Sequence, residues 1–290
     1  MLVKNGGVLW AYFLFILLFI AELGAILFLN HGHFTYSLDD PYIHLAVAEN
    51  LVNGHYGINA CEFAAPSSSI FWPFLLVPFM KLPMSVWVPL IINFAVSLAA
   101  LKYLEKSLRC YMQDEVTISA LLCFFIIALN MVGLAYTGME HSLQLFMAVV
   151  IICGLLSLLR SGQHSYLFYS AIIVGPLVRY ENLALSLSAC LVIWLAHSRR
   201  TAVYLGIGTL LPLMAFSLFL HSNDVGFLPS SVLAKSDVMA EAGSVEKILT
   251  NLKSNVLEKR GRGILFLGSA LLLLIPLLRK NTSRQGKLLA

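Results

Sequence analysis

Long apolar runs limit what this chain of 290 residues can fold into. Seven runs are long enough to cross a bilayer, and an eighth, at 166–178, is shorter. The seven lie near residues 8–29, 84–104, 117–135, 142–159, 183–197, 202–220 and 264–278. Because 59% of the residues are hydrophobic and only 12% are charged, the chain lacks the polar surface of a soluble domain. The sequence therefore predicts an all-α, polytopic membrane helix bundle of about eight spans.

Composition also bears on domains and partners. No repeat and no low-complexity segment interrupts the pattern of runs, so we expect one transmembrane domain over residues 1–290. The first run follows a charged start without a small-residue cleavage site, which favours an uncleaved first span. The net charge of +4 is small, and no basic cluster contains interleaved aromatic residues, so we expect no nucleic-acid partner.

The positions of lysine and arginine predict which loops face the cytoplasm. The short run 69–82 is broken by prolines, and we expect it to make no net crossing. The cation-bearing loops and the tail then share the side of Lys4, which the positive-inside rule makes cytoplasmic. The cations that agree are Lys102, Lys106, Arg109, Arg160, Arg199, Arg200, Arg279, Lys280, Arg284 and Lys287.

The opposite, extracytoplasmic face collects two outer loops, 30–68 and 221–263, and the short segments 138–141 and 179–182. The loop 221–263 carries six cations, which the positive-inside rule disfavours on that face. We keep this topology because the other segments agree with it, and because a phosphate site there would itself need cations. Residues 244–260 place their apolar side chains on one helical face, which is typical of a helix lying along the membrane surface.

Two adjacent carboxylates follow the first apolar run, in the stretch YSLDDPYIHLAVAENLVNG. Pro41 suits the first position of a helix, Asp40 its N-cap, and Asn53 with Gly54 its end. The apolar face is predicted to contain Ile43, Val47 and Leu51. With Asp40 as the cap, Asp39 is left free beside the positive end of the helix, ionised as a general base or a cation ligand requires. Equally open is that both acids only cap the helix.

Four segments resemble a known family, in the same order along the chain. They are the loop from the acidic pair to PSSSIFWP at 66–73, YTGMEHSL at 136–143, LVRYENLAL at 177–185 and GFLPSSVLAKS at 226–236. Together they resemble polyprenyl-phosphate-sugar-dependent glycosyltransferases of the GT-C fold, nearest to the bacterial arabinofuranosyltransferase-like branch. The family commonly has proline where Tyr180 stands, and its members usually continue well beyond this length, so we expect either a C-terminally short member or a truncated product.

The resemblance implies a membrane glycosyltransferase that moves a sugar from a polyprenyl-phosphate carrier to a glycan, lipid or protein acceptor of the cell envelope. The active site is then expected on the extracytoplasmic face of the plasma (inner) membrane. Such a transfer needs an acceptor hydroxyl made nucleophilic and a leaving phosphate whose charge is stabilised.

The resemblance also assigns roles to particular residues. Asp39 or Asp40 is the expected general base, and Arg179 with Lys235 is expected to bind the donor phosphate. The supporting residues are expected to be His44, Glu140, His141 and Glu181. No complete set of metal ligands is evident, which leaves open a divalent cation at the two aspartates.

Each of these residues also has a simpler interpretation. Arg179 suits an interfacial anchor or an ion-pair partner of Glu181, and Lys235 an ordinary loop lysine. Glu140 suits a carboxylate that only complements a helix dipole. For His44, one turn after the acids, we expect a partly exposed position at the membrane surface.

Two other function classes stay open. A transporter or lipid flippase would show inverted repeats and several charges at mid-membrane, but no repeat is found and Glu22 is the only clear charge deep in a predicted span. A catalytically inactive assembly partner would keep the fold without needing Asp39, Asp40 or Arg179.

Overall fold

The computed structural model describes residues 6–59 and 62–230, and all regular structure within these ranges is helical. The helices there are α1 (Gly6–Leu29), α2 (Asp40–Val52), α3 (Phe71–Leu76), α4 (Val88–Leu108), α5 (Glu115–Ala128), α6 (Met131–Tyr136), α7 (His141–Ser161), α8 (Tyr166–Val178), α9 (Asn182–Ala196) and α10 (Arg199–Ser222). Two 3₁₀ turns, Val77–Phe79 and Ser85–Trp87, lead from α3 to α4. The all-α prediction is confirmed for this part of the chain.

Within residues 6–59 and 62–230, four helical segments are long and apolar enough to cross a membrane. They are Gly7–Leu29, Ser85–Leu108, His141–Ser161 and Arg199–Ser222. Helices α5, α8 and α9 are apolar but shorter, with 14, 13 and 15 residues. At 1.5 Å per residue, such helices reach only about two-thirds of the hydrocarbon thickness. The chain is thus a helical membrane bundle in its described part, while the expected span 264–278 and the surface helix 244–260 lie outside the described residues.

The two largest of the four hydrophobic clusters among the described residues form the cores of the two halves of the bundle. The first lies among α1, α4, α5 and α6, and its fully buried side chains include Phe15, Leu101, Ile118, Leu122 and Met131. The second lies among α7, α8, α9 and α10, around Ile151, Phe168, Ile172 and Ile193. Helix α4 packs along α7 and so joins the two halves. Many large apolar side chains on the outer faces of α1 and α10 remain exposed, which is expected of surfaces that face lipid.

Contacts between the connecting segments define two ends of the bundle. At the far end, α1 begins beside Glu115, and Arg160 donates a hydrogen bond to the carbonyl of Cys110. At the other end, which we call the site end, the Tyr36 hydroxyl donates to the carbonyl of Val86. The main helices run alternately between these ends, so α2, α3, the turn before α7 and the turn after α8 all lie at the site end.

The proline-broken run 69–82 stays at the site end. It forms the six-residue helix α3 and a 3₁₀ turn, and the amide of Ile70 donates to the carbonyl of Leu177 at the end of α8. A helix of this length rises by about 9 Å, far less than the roughly 30 Å of a hydrocarbon core. The segment therefore does not traverse the bundle, and the side of the membrane that this end faces stays a prediction.

Helix α2 differs from the sequence prediction at its start. Asp39 occupies the N-cap position, Asp40 is the first helical residue, and neither side chain caps the helix. The assignment of Asp40 as the cap was therefore wrong by one position. The end is as predicted, with Asn53 as C-cap and Gly54 at φ +75°. The buried face also differs from the predicted one, since it consists of Pro41, His44, Leu45, Val47 and Ala48.

Candidate functional site

A tight turn before α7 sets the geometry of the candidate site. Gly138 has φ +67°, and a Cβ there would lie 2.5 Å from Cε1 of Tyr36 and 2.9 Å from Cβ of Pro41, so only glycine fits. The turn is held from two sides, by Trp72 Nε1 on the carbonyl of Gly138 and by Asn93 Nδ2 on the carbonyl of Met139. These contacts hold the backbone of the turn beneath α2 and do not involve the charged side chains of the site.

Glu140 follows this turn and is completely buried. Its Oε2 lies 3.2 Å from Nε2 of His44, and its Oε1 accepts from Nη1 of Arg179 at 3.0 Å. The hydroxyl of Ser68 donates to the same Oε1 at 3.0 Å. Although Glu140 is the N-cap residue of α7, its side chain does not cap the helix. The carboxylate therefore joins three distant segments instead of only complementing a helix dipole.

His44 is buried, contrary to the expectation of a partly exposed position at the membrane surface. Its side chain is only 1% exposed, because it belongs to the inward face of α2. Nδ1 lies 3.0 Å from the hydroxyl of Ser67, and Ser67 donates to the carbonyl of Ser69 at 2.5 Å. His44 is thus held by Ser67 and Glu140 and makes no hydrogen bond to Asp40, four residues earlier.

Arg179 lies at the end of α8 and binds two carboxylates. It adopts an extended backbone at the C-cap, which turns its side chain toward α7. Two nitrogens of the guanidinium contact Glu181, at 2.7 and 3.1 Å, in addition to the contact with Glu140. His141 is half-buried, with Nδ1 3.4 Å from Nη1 of Arg179. We refer to His44, Ser68, Glu140, Arg179 and Glu181 as the Glu140 cluster.

The electrostatics of this cluster keep both glutamates ionised at neutral pH. Burial raises the pKa of Glu140, but the hydrogen bond and charge of His44 and the charge of Arg179 outweigh it and bring the pKa to about 2. Burial likewise opposes ionisation of Glu181, and its hydrogen bonds with Arg179 hold the pKa below its usual range. The two carboxylates differ in access, because Glu140 is sealed and the side chain of Glu181 is 62% exposed.

The two aspartates lie at the edge of this cluster. Asp39 is exposed and Asp40 half-buried, and neither side chain forms a hydrogen bond or ion pair with another described residue. Asp40 precedes His44 by one helical turn on the same face of α2, a rise of about 6 Å. Asp40 thus stands directly above the buried histidine, whereas Asp39 precedes the helix.

Two further predictions for the site concern Lys235 and a divalent cation. Lys235 lies outside the described residues, as does most of the outer loop 221–263. Within residues 6–59 and 62–230, no group of three or more His, Cys, Asp or Glu side chains is placed to hold a metal ion. Asp39 and Asp40 would therefore need ligands from elsewhere to bind a divalent cation.

Three contributors were missed by sequence reasoning. Ser67 and Ser68 belong to the PSSS segment, which entered only as part of the resemblance, and they position His44 and Glu140. Asn93 lies inside the apolar helix α4 with no exposed surface, and its Nδ2 donates to the carbonyls of Ala135, in α6, and Met139, in the turn before α7. The signal in the sequence that was overlooked is a polar amide in the middle of an apolar run long enough to cross a membrane.

The arrangement combines the carboxylates of Asp39 and Asp40 at the edge with a largely buried guanidinium, whose side chain is 11% exposed, beneath an exposed glutamate. This set can accept a proton at Asp40 and bind an anion at Arg179, the two tasks of a group transfer from a phosphate. Comparisons with protein-family models, with curated proteins and with solved structures give no match.

Proposed function

We propose that this chain is a membrane glycosyltransferase that uses a polyprenyl-phosphate-linked sugar donor, with its site on the extracytoplasmic face. One observation carries the proposal: three segments that resemble the GT-C family meet side chain to side chain. Ser68, Glu140 and Arg179 come from those segments and share one hydrogen-bonded cluster, although 72 and 39 residues separate Glu140 from its two partners. Short motifs that matched the family only by chance would have no reason to lie in contact in the folded chain.

The proposed reaction uses Asp40 as the general base. The carboxylate takes the proton of an acceptor hydroxyl while the acceptor oxygen bonds to the anomeric carbon and the bond to the donor phosphate breaks. The products are the glycosylated acceptor and the polyprenyl phosphate. Asp40 is preferred to Asp39 because it is half-buried and stands one turn above His44 on the same face of α2, whereas Asp39 is exposed and precedes the helix.

The proposed phosphate ligand is Arg179, through its outer side. Glu140 is sealed and ion-paired, so removing it from Arg179 would leave a buried charge unbalanced. Glu181 is exposed, and an ion pair with an exposed carboxylate contributes little. A donor phosphate would therefore displace Glu181 and take over its two-point contact with the guanidinium.

The direct test is turnover of radiolabelled polyprenyl-phosphate sugars by the purified chain, with Asp40→Asn and Asp39→Asn as a matched pair. Loss of a positioned base costs typically 10²–10⁴-fold in rate, so Asp40→Asn should lose at least about 100-fold and Asp39→Asn far less. Both variants should keep the melting temperature of the unchanged protein, since neither side chain caps α2. Near-full turnover in both variants refutes the enzyme proposal.

The second candidate is a non-catalytic assembly partner, and one observation favours it. Arg179 already has two carboxylate partners, which is also how a purely structural cluster is built. Turnover separates the two candidates, and so does donor binding by one further variant, Glu181→Gln. Glu181→Gln should tighten donor binding if phosphate replaces Glu181, and should leave donor binding absent if the cluster is structural.

A further inference from the structure

A cavity lies at the far end of the bundle, away from the Glu140 cluster. It has a volume of about 750 Å³ and opens among the last turns of α4 and α7 and the start of α8. Helix α7 has Glu140 before its first residue and Ser161 at its last, and its 21 residues rise by about 30 Å. The cavity is therefore a separate site, of the size at which proteins bind small ligands.

The lining of this cavity carries cations and neutral polar groups on a wall that is otherwise apolar. It contains Lys106 and Arg160, and none of its residues is an aspartate or glutamate. Hydroxyl and other neutral polar groups come from Ser107, Ser157, Ser161, Gln163, His164 and Ser165. Neither Lys106 nor Arg160 forms an ion pair within the described part of the chain, so an anion entering here would meet uncompensated positive charge.

Arg160 is held in position although it is exposed. Its Nη1 donates to the carbonyl of Cys110 at 2.5 Å, and its guanidinium lies 4.8 Å from the centre of the Tyr111 ring. Arg109, at the same end, differs because Glu105 and Glu115 both bind it. Of these two arginines, only Arg160 therefore has guanidinium nitrogens left without a carboxylate.

The remaining wall is apolar or aromatic. Tyr103, Cys153, Gly154 and Leu167 complete the lining, and the neighbouring side chain of Tyr166 is 92% exposed. Gly154 lets α8 approach α7 closely, since a Cβ there would lie 2.3 Å from the ring of Phe168. A cationic cavity next to exposed apolar side chains at a helix end matches the boundary between lipid headgroups and acyl chains.

We propose that this cavity binds the phosphate group of an anionic ligand, and that an anionic phospholipid of the adjoining leaflet supplies it. Arg160 contacts the phosphate with its free nitrogens, Lys106 adds charge, and the serine hydroxyls bind the polar headgroup. The exposed apolar surface beside the opening takes the first methylenes of the acyl chains. The proposal does not depend on the transferase reaction, because it uses other residues at the opposite end of α7.

Cys110 provides a built-in reporter for the test. It lines the cavity and is an exposed free thiol, whereas Cys190 is buried in the core. The full chain in a neutral detergent is treated with a maleimide, and labelling of Cys110 is followed by peptide mass spectrometry. The added probes are a short-chain phosphatidylglycerol, the phosphatidylcholine with the same chains, and inorganic phosphate at the same concentration.

Phosphatidylglycerol should slow labelling of Cys110 in a saturable manner, and the other two probes should not. In Arg160→Gln the apparent affinity for phosphatidylglycerol should fall about fivefold, the effect of one cation near an anionic lipid. Arg199→Gln is the matched control, because Arg199 is also exposed and lies 5.8 Å from the ring of Trp194, outside this cavity. Each variant is compared with its own rate without lipid.

Three outcomes overturn the proposal. Equal protection by phosphatidylcholine, or unchanged protection in Arg160→Gln, shows that the phosphate charge is not recognised at Arg160. Equal protection by inorganic phosphate shows that the ligand is a soluble anion, which overturns the assignment to a lipid.

Discussion

Replacing Glu140 by glutamine tests whether the Glu140 cluster contributes to stability through its charge. Glutamine has nearly the same shape, so packing beneath α2 is kept and only the negative charge is removed. Arg179 and His44 then lose the carboxylate that they share, in a place with no exposed surface on the Glu140 side. Removing one partner from a buried ion pair costs about 3–5 kcal/mol.

The pKa of Glu140 gives an independent estimate of the same quantity. The pKa falls from 4.5 to about 2, and each unit corresponds to 1.36 kcal/mol, so ionisation of Glu140 stabilises the fold by roughly 3 kcal/mol. Because the folded pKa is the lower one, this contribution is present above pH 4.5 and is lost as the pH falls toward 2. The difference between the unchanged protein and Glu140→Gln should therefore shrink over that window.

The assay is thermal unfolding in detergent at pH 6 and pH 3. At pH 6, a loss of about 3 kcal/mol corresponds to a melting temperature lower by roughly 6–12 °C, using the scaling for domains of similar size. Glu181→Gln is the matched control, because it removes an exposed partner of the same arginine and should cost less than about 1 kcal/mol. Equal losses in the two variants, or a gap that stays constant down to pH 3, would refute the reasoning.

Three further predictions concern the site end and the topology. Arg179→Lys should weaken donor binding more than it lowers the melting temperature, because lysine keeps the charge but not the planar fork; donor titration checks this, and unchanged affinity makes the residue structural. Gly138→Ala should destabilise by about 1–3 kcal/mol more than Gly162→Ala, since both have positive φ but only the first meets neighbours, as melting curves will show. Reporter fusions after Asn53 and Arg109 should report opposite sides, with Asn53 outside; the same side for both refutes the topology.

Helix type and helix order were predictable from the sequence because they depend on local patterns. An apolar run of about 20 residues forms a helix wherever lipid surrounds it, since its backbone groups must bond to each other. The end of α2 at Asn53 and Gly54 was predictable for a similar reason, because the left-handed conformation of Gly54 is a property of that residue. Such features need no knowledge of distant contacts.

The buried charges were not predictable, because they depend on contacts between distant residues. His44 and Glu140 are 96 positions apart, and nothing near either one indicates the other as a partner. A glutamate at a helix start normally only complements the dipole, and a histidine after a membrane span is normally exposed. The start of α2 was missed for a different reason, since Asp39 and Asp40 suit a cap equally and the choice depends on backbone geometry.

Charge balance explains why the two glutamates around Arg179 are not equivalent. Glu140 and Arg179 form a pair that is neutral by itself and has little contact with water, so exchange of either partner leaves a buried charge. Glu181, in contrast, is exposed, and it contacts the side of the guanidinium that another anion can reach. If the cluster is purely structural, removal of this second carboxylate should cost less than about 1 kcal/mol and donor binding should be absent. In the proposed donor site, Glu181 occupies the outer side of the guanidinium between turnovers and leaves when phosphate arrives. Stability changes in Glu140→Gln and binding changes in Glu181→Gln therefore separate a structural function of the cluster from the proposed binding of a donor phosphate.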